Sequence, residues 1–114
     1  MEGCIFCKIV RGEIQAKISA ESSKAVAFQD INPQAPVHIL VIPKEHLVSV
    51  LDIEPNHSEL WMELLMLAKK CAQLEGIDRS GFRLVLNCGP DAGQAVDHLH
   101  LHLFGKRKLN WPPG

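Results

Sequence analysis

The spacing of apolar and polar residues changes period several times along the chain, and each change marks an element. Residues 5–11 (IFCKIVR) predict a short helical turn ending near Gly12. Residues 25–29 (AVAFQ) read as a short strand. Residues 37–42 (VHILVI) are β-branched and apolar and stop at Pro43, which also reads as a strand. The segment DINPQAP (30–36) between them is a loop broken by Pro33 and Pro36, so the two strands should pair antiparallel across it. Residues 57–75 predict the one long helix. Leu60, Leu64, Leu67, Cys71 and Leu74 recur at spacings of three and four and form one apolar stripe. Gly76 is placed to stop it. Residues 82–87 alternate, with Phe82, Leu84 and Leu86 on one face of a strand, and GPDAG (89–93) is a turn. The tail WPPG (111–114) is too rich in proline to extend any element.

The last strand, residues 98–104, is the most informative segment. It reads His98-Leu99-His100-Leu101-His102-Leu103-Phe104, with a period of two. On a strand the three histidines share one face and the three leucines the other, whereas a helix would scatter them. The leucine face should pack under the long helix. A solvent-washed polar face usually carries Thr, Lys, Glu or Ser instead. Metal binding by all three is disfavoured, because same-face neighbours on a straight strand lie about 7 Å apart. The remaining reading is nucleophilic or acid/base catalysis by one histidine, oriented by the others. The preceding loop supports it. Gly93 permits close backbone approach, successive N–H groups there can cradle an anion, and Asn87 on the neighbouring strand can donate to it.

Composition narrows the setting. The chain has 114 residues, 46% hydrophobic and 22% charged, which is ordinary for one globular domain and is read as a single unit, 1–114. A formal net charge of −1 gives no global sign of nucleic acid or an anionic membrane as partner. No basic region followed by an apolar run opens the chain, so no signal peptide is expected and the expected compartment is the cytoplasm. There the four cysteines stay reduced. Cys71 and Cys88 read as small buried hydrophobes. Cys4 and Cys7 form a Cys-x-x-Cys, either a redox pair or half of a zinc site; the redox reading lacks a thioredoxin-like context. His57, at the start of the long helix, reads as a solvated residue, as do Lys44, Lys106, Arg107 and Lys108.

The intact motif His98-Leu99-His100-Leu101-His102-Leu103-Phe104 resembles that of the histidine triad (HIT) superfamily. The stretches CIFCKIVRGEI (4–14), FQDINPQAPVHILVIPKEH (28–46), FRLVLNCGPDAGQ (82–94) and WPPG are similar to those of its Hint branch, the purine nucleoside phosphoramidases. The resemblance covers essentially the whole chain. It implies an α+β fold: a small antiparallel sheet with one long and one short helix, the sheet continued across a homodimer. It implies a hydrolase acting on purine nucleoside 5′-phosphoramidates (AMP-amine) through a nucleotidyl-histidine. Dinucleoside polyphosphate hydrolysis is one alternative, and a nucleotide-binding or interaction protein with weak activity is another.

Carried over by position, the resemblance makes His100 the nucleophile, with His102 and His38 beside it. Asn87, Gly93, Gln94 and Ala95 would bind the phosphate, Asp30 the ribose hydroxyls, and Ile31 would lie against sugar and base. Cys4, Cys7, His46 and His98 would hold a structural zinc ion, with no organic cofactor expected. Trp111 would pack near the partner subunit's site. Two positions depart from the pattern: Ala95 stands where many relatives have Ser, and Asp97 where an aromatic residue is common. The pair His100-Leu101-His102 lacks the proline of the hexose-1-phosphate uridylyltransferase branch.

Overall fold

In the computed structural model, which describes residues 3–114, the fold is a five-stranded antiparallel sheet covered on both faces. The strands are β1 (Ile18–Glu21), β2 (Ala25–Gln29), β3 (Val37–Pro43), β4 (Phe82–Leu86) and β5 (Leu101–Gly105). Their order across the sheet is β1-β2-β3-β5-β4. The helices are α1 (Ile5–Val10) and α2 (Ser58–Leu74), with single 3₁₀ turns at Val50–Asp52, Pro55–His57 and Pro90–Ala92.

All seven residues of β3, the middle strand, are buried, and its alternation explains why. Val37, Ile39 and Val41 join Leu60, Leu64, Leu67, Ala68 and Cys71 of α2 in the main core. Leu40 and Ile42 point the other way, into a second cluster with Phe6 of α1, Val26 and Phe28. A strand apolar on both sides is what a sheet covered on both faces requires. The α2 side is a pure hydrophobic layer. The α1 side is where the histidines emerge.

Several expectations shift in detail. The stripe of α2 loses Leu74, which is 63% exposed. Ala68 and Ala72 are buried instead, and they move the centre of the stripe round the helix, leaving Leu74 on its flank. Strand β1 was not legible in ISAE, a short edge strand with a register shift between Ile18 and Ala20 and no clean alternation. Glu63 of α2 ties its turn down. The carboxylate accepts from Ser22 Oγ (2.5 Å), Ser23 Oγ (3.2 Å) and the Lys24 N–H (2.6 Å). His57 is not a free surface ring: its Nδ1 accepts the Glu54 N–H at 2.9 Å, half of a capping box at the entry to α2. Cys88 is only half-buried, with its Sγ 3.5 Å from Ser49 Oγ.

The histidine segment enters the ladder later than expected. Leu101 to Gly105 pair with both β3 and β4, but residues 98–100 lie outside it. There the Leu99 N–H donates to Leu47 O at 2.6 Å instead. The alternation nevertheless persists. Leu99, Leu101 and Leu103 are in the α2-side core, and the three histidines occupy the opposite face. At the far end of β5, a Cβ on Gly105 would collide with Ile77 Cδ1, the tip of a buried side chain that would have to turn aside.

Candidate functional site

The α1 face carries two polar clusters joined by one residue. The first is built on β3 and β5. His38 and His102 lie with His38 Nε2 3.0 Å from His102 Nδ1. His38 Nδ1 accepts the Gln34 N–H at 3.0 Å. A neutral ring accepting at Nδ1 carries its proton on Nε2, so His38 donates to His102 Nδ1, and His102 in turn carries its proton on Nε2. Both rings are held neutral. Burial pushes His38 below the usual histidine range, against the pull of Asp30. Burial, then the His100 and His38 rings, take His102 down to about 4. The Phe104 ring stacks on His102, with centroids 5.5 Å apart and planes within 4°.

His100 is buried. Its Nδ1–H donates to the backbone carbonyl of His98 at 2.7 Å, leaving Nε2 with a bare lone pair. Phe6 of α1 packs edge-on against it with centroids 5.3 Å apart. Sequence reasoning missed Phe6, and its buried place on a short amphipathic helix was the only signal for it.

Around these rings the other expected residues fall as follows. Asp30 closes the end of β2, with Oδ1 accepting the Asn32 N–H at 2.8 Å and Oδ2 3.5 Å from His38 Nε2. Ile31 is 97% exposed beside it, an apolar side chain with nothing over it. Asn87 follows β4 in the same alternation as Val85, the cross-strand partner of His102. Gln94 braces the 89–95 loop through its side chain. Its Oε1 accepts the Gly89 N–H at 2.9 Å, and its Nε2 donates to Val48 O (2.7 Å) and Val96 O (3.0 Å). The Gly93 and Gln94 N–H groups are also engaged inside the loop, with Pro90 O and Gly89 O. Gly93 adopts φ +81°, which the turn requires.

The second cluster lies where α1 meets the start of the histidine segment. Cys4 Sγ is 3.3 Å from His98 Nδ1. Cys7 Sγ is 3.2 Å from His46 Nδ1 and 3.5 Å from His98 Nδ1. All four ligand atoms lie within 4.8 Å of one another. Zinc–sulfur and zinc–nitrogen bonds of ordinary length set at a tetrahedral angle put S and N about 3.6 Å apart, close to these separations. The tautomer also fits: His98 Nε2–H donates to Pro43 O at 2.9 Å, which leaves Nδ1 bare. Burial and the neighbouring Cys4 push the Cys7 thiol up, the direction a bound dication reverses. The residues fit zinc.

Asp30, His38 and His102 also bring three donor atoms together. They do not make a metal site, because the Gln34 N–H occupies His38 Nδ1 and forces the proton onto the nitrogen that would have to ligate.

Residues 11–109 match the model of the HIT domain. The chain belongs to the HIT family. A HIT family hydrolase from Legionella pneumophila superposes with a TM-score of 0.96 at 49% identity, covering 98% of this chain and all of that one. A 14 kDa zinc-binding protein of Zea mays is 47% identical over 96% of this chain and 87% of its own length. Adenylylsulfatase HINT1 of Arabidopsis thaliana is 46% identical over 96% of this chain and 76% of its own. The HIT fold is thus the one expected, and the Cys4–Cys7–His46–His98 cluster of this HIT protein is a set of zinc-compatible ligands.

Proposed function

We propose that this HIT protein is a hydrolase of purine nucleoside 5′-phosphoramidates working through a nucleotidyl-histidine on His100. The observation that carries the reading is the 2.7 Å bond from His100 Nδ1 to His98 O. It leaves Nε2 as a nucleophile needing no separate base, and it stabilises the positive charge the ring acquires when Nε2 bonds to phosphorus. The P–N bond breaks as the P–Nε2 bond forms, and the amine leaves with a proton from solvent. Water then adds to phosphorus, the P–Nε2 bond breaks, and the nucleoside monophosphate departs.

His102 serves as a neutral donor. Its Nε2–H, fixed through His38, bonds to a phosphoryl oxygen as negative charge builds there. Asn87 and the Ala95 N–H add donors, while Gly93 and Gln94 hold the shape of the loop that presents them. Asp30 accepts from the ribose hydroxyls, and the open Ile31 side chain covers sugar and base. Zinc on Cys4, Cys7, His46 and His98 is structural, since four protein ligands leave no open position. We take residues 1–114 as a single cytoplasmic domain acting as a homodimer, with Trp111, 82% exposed, lying toward the partner's site. Small nucleotide derivatives, and neither nucleic acid nor membrane, are its partners. No helix among the described residues is long and apolar enough to cross a membrane.

A second reading of the same site is favoured by the Arabidopsis relative named adenylylsulfatase. In adenylyl sulfate the leaving group is sulfate, which needs no proton. A site with Ala95 in place of a hydroxyl and a neutral His102 suits such a substrate. One comparison tests all readings: turnover of an AMP-amine, adenylyl sulfate and a diadenosine polyphosphate by wild type and His100→Ala. The proposal expects the AMP-amine to be the best substrate and His100→Ala to lose at least about a thousandfold in kcat. Unchanged turnover in His100→Ala sinks the assignment of the nucleophile.

A further inference from the structure

Gln34 presents two peptide groups to two different neighbours. Its N–H donates to His38 Nδ1 at 3.0 Å, and its carbonyl accepts from Arg107 Nε at 3.0 Å. Arg107 follows β5 and lies 73 residues away in sequence. Its Nη1 also donates to Lys108 O at 3.1 Å, so the guanidinium clips the C-terminal segment to the 30–36 loop. The other hydrogen bonds of this loop are internal or go to β3. The Asp30 N–H donates to His38 O, the Asn32 N–H to Asp30 Oδ1, and Gln34 Nε2 to Asn32 O. Among the described residues, Arg107 supplies the loop's hydrogen bond from beyond β3.

The direction of the His38–His102 bond depends on the Gln34 N–H. With that donor in place, His38 holds its proton on Nε2 and His102 presents Nε2–H to the site. Without it only the Asp30 carboxylate, 3.5 Å from Nε2, still favours that tautomer, and His38 can carry the proton on Nδ1. Its Nε2 then accepts, His102 donates from Nδ1, and His102 Nε2 becomes a bare lone pair. At a phosphoryl oxygen, attraction turns into repulsion of two lone pairs. We infer that Gln34 and Arg107 are positioning residues that set this direction, the backbone N–H by occupying His38 Nδ1 and the guanidinium by holding residue 34 against β3. The two peptide groups of Gln34 are distinct, so Arg107 acts through position and not through polarisation of the donor. The inference rests on the proposal that the His38–His102 pair serves phosphoryl transfer from the nucleotide.

The test is ¹⁵N NMR of the histidine rings in wild type, Arg107→Ala, Arg107→Lys and Gln34→Pro, with kcat and KM for an AMP-amine on the same samples. Wild type should show His38 and His102 protonated at Nε2. In Arg107→Ala the Nδ1-protonated fraction of His38 should rise and kcat should fall about fivefold, with KM changed less than about twofold. Arg107→Lys, which keeps one donor, should restore most of both. Gln34→Pro has no N–H and should give the reversed tautomers, with a loss of about thirtyfold in kcat. Unchanged His38 tautomers in the variants overturn the inference. So does a rise in KM alone, which would mark a loop that merely carries Asp30. If Gln34→Pro does not fold, the exposed Arg107 variants decide the matter. A wild type inert toward phosphoramidates counts against the proposed reaction only, because the ring shifts report the direction of the bond without turnover.

Discussion

Burial takes His102 to about 4, below the 6.5 of an unconstrained histidine, and this has a measurable consequence for stability. Between those two values the unfolded chain binds the proton and the folded one does not. The contribution is therefore fully present above pH 6.5 and is lost as pH falls through about 4. His38, also lowered by burial, acts with the same sign. The melting temperature should drop across this window, and His102→Asn should flatten the drop in a series of thermal melts. Turnover should not show an ordinary histidine step for His102 near pH 6.5, because its ring stays neutral until about pH 4. At this scale the sequence was a good guide to which residues matter and a poor guide to their protonation. The period-two histidines were plain. That His38 receives a proton donor from the backbone of Gln34, and that Arg107 holds that residue, was not. Backbone hydrogen bonds formed by a folded loop leave no mark in side-chain order.

Among the elements, α1 is the least secure by itself. It has six residues, too few to be stable alone in water, so its place depends on what it docks against. Phe6 supplies one anchor in the second core cluster, and Cys4 and Cys7 supply the other through the zinc-compatible ligands. Purified protein should carry about one zinc per chain. Cys4→Ser combined with Cys7→Ser, or chelation, should lower the melting temperature by about 5 °C or more and raise amide exchange over residues 4–10. Metal analysis and hydrogen exchange would check both. In contrast, α2 stands on a continuous apolar stripe, and Leu64→Ala should cost about 3 kcal/mol in chemical denaturation. That stripe, and the doubly buried run of β3, were legible because burial on one face or two dictates a period. The edge strand β1 was missed because an exposed four-residue strand has no such constraint. The histidine segment predicts a strand that starts three residues early, because its leucine alternation runs back beyond the point where the ladder begins.

For the whole molecule, β4 closes the sheet with an unshared edge, and Phe82 and Leu84 beside it remain partly exposed. Open edges of this kind favour pairing with another strand. The proposed homodimer continues the sheet there. Light scattering should give twice the 12.7 kDa chain mass, and Leu84→Glu should return it to the single value. The overall architecture was the best anticipated part of the molecule. It was legible through the resemblance to the HIT family, whereas the residue pattern alone marked the two helices and four of the five strands.

His98 is fully buried and makes three separate connections: Nδ1 toward the two sulfurs, Nε2–H to Pro43 O, and its own carbonyl to His100. The connections differ in what they ask of the side chain. The last uses the backbone, and the second survives without any metal. A chain without the two cysteines can therefore still orient His100 for the proposed attack, with His98 remaining a buried hydrogen-bonded ring. Replacing His98 costs more, since it removes one of the zinc-compatible ligands and also leaves Pro43 O without its donor. The cysteines are thus the dispensable half of the ligand set, and His98 is the half on which the histidine segment itself depends.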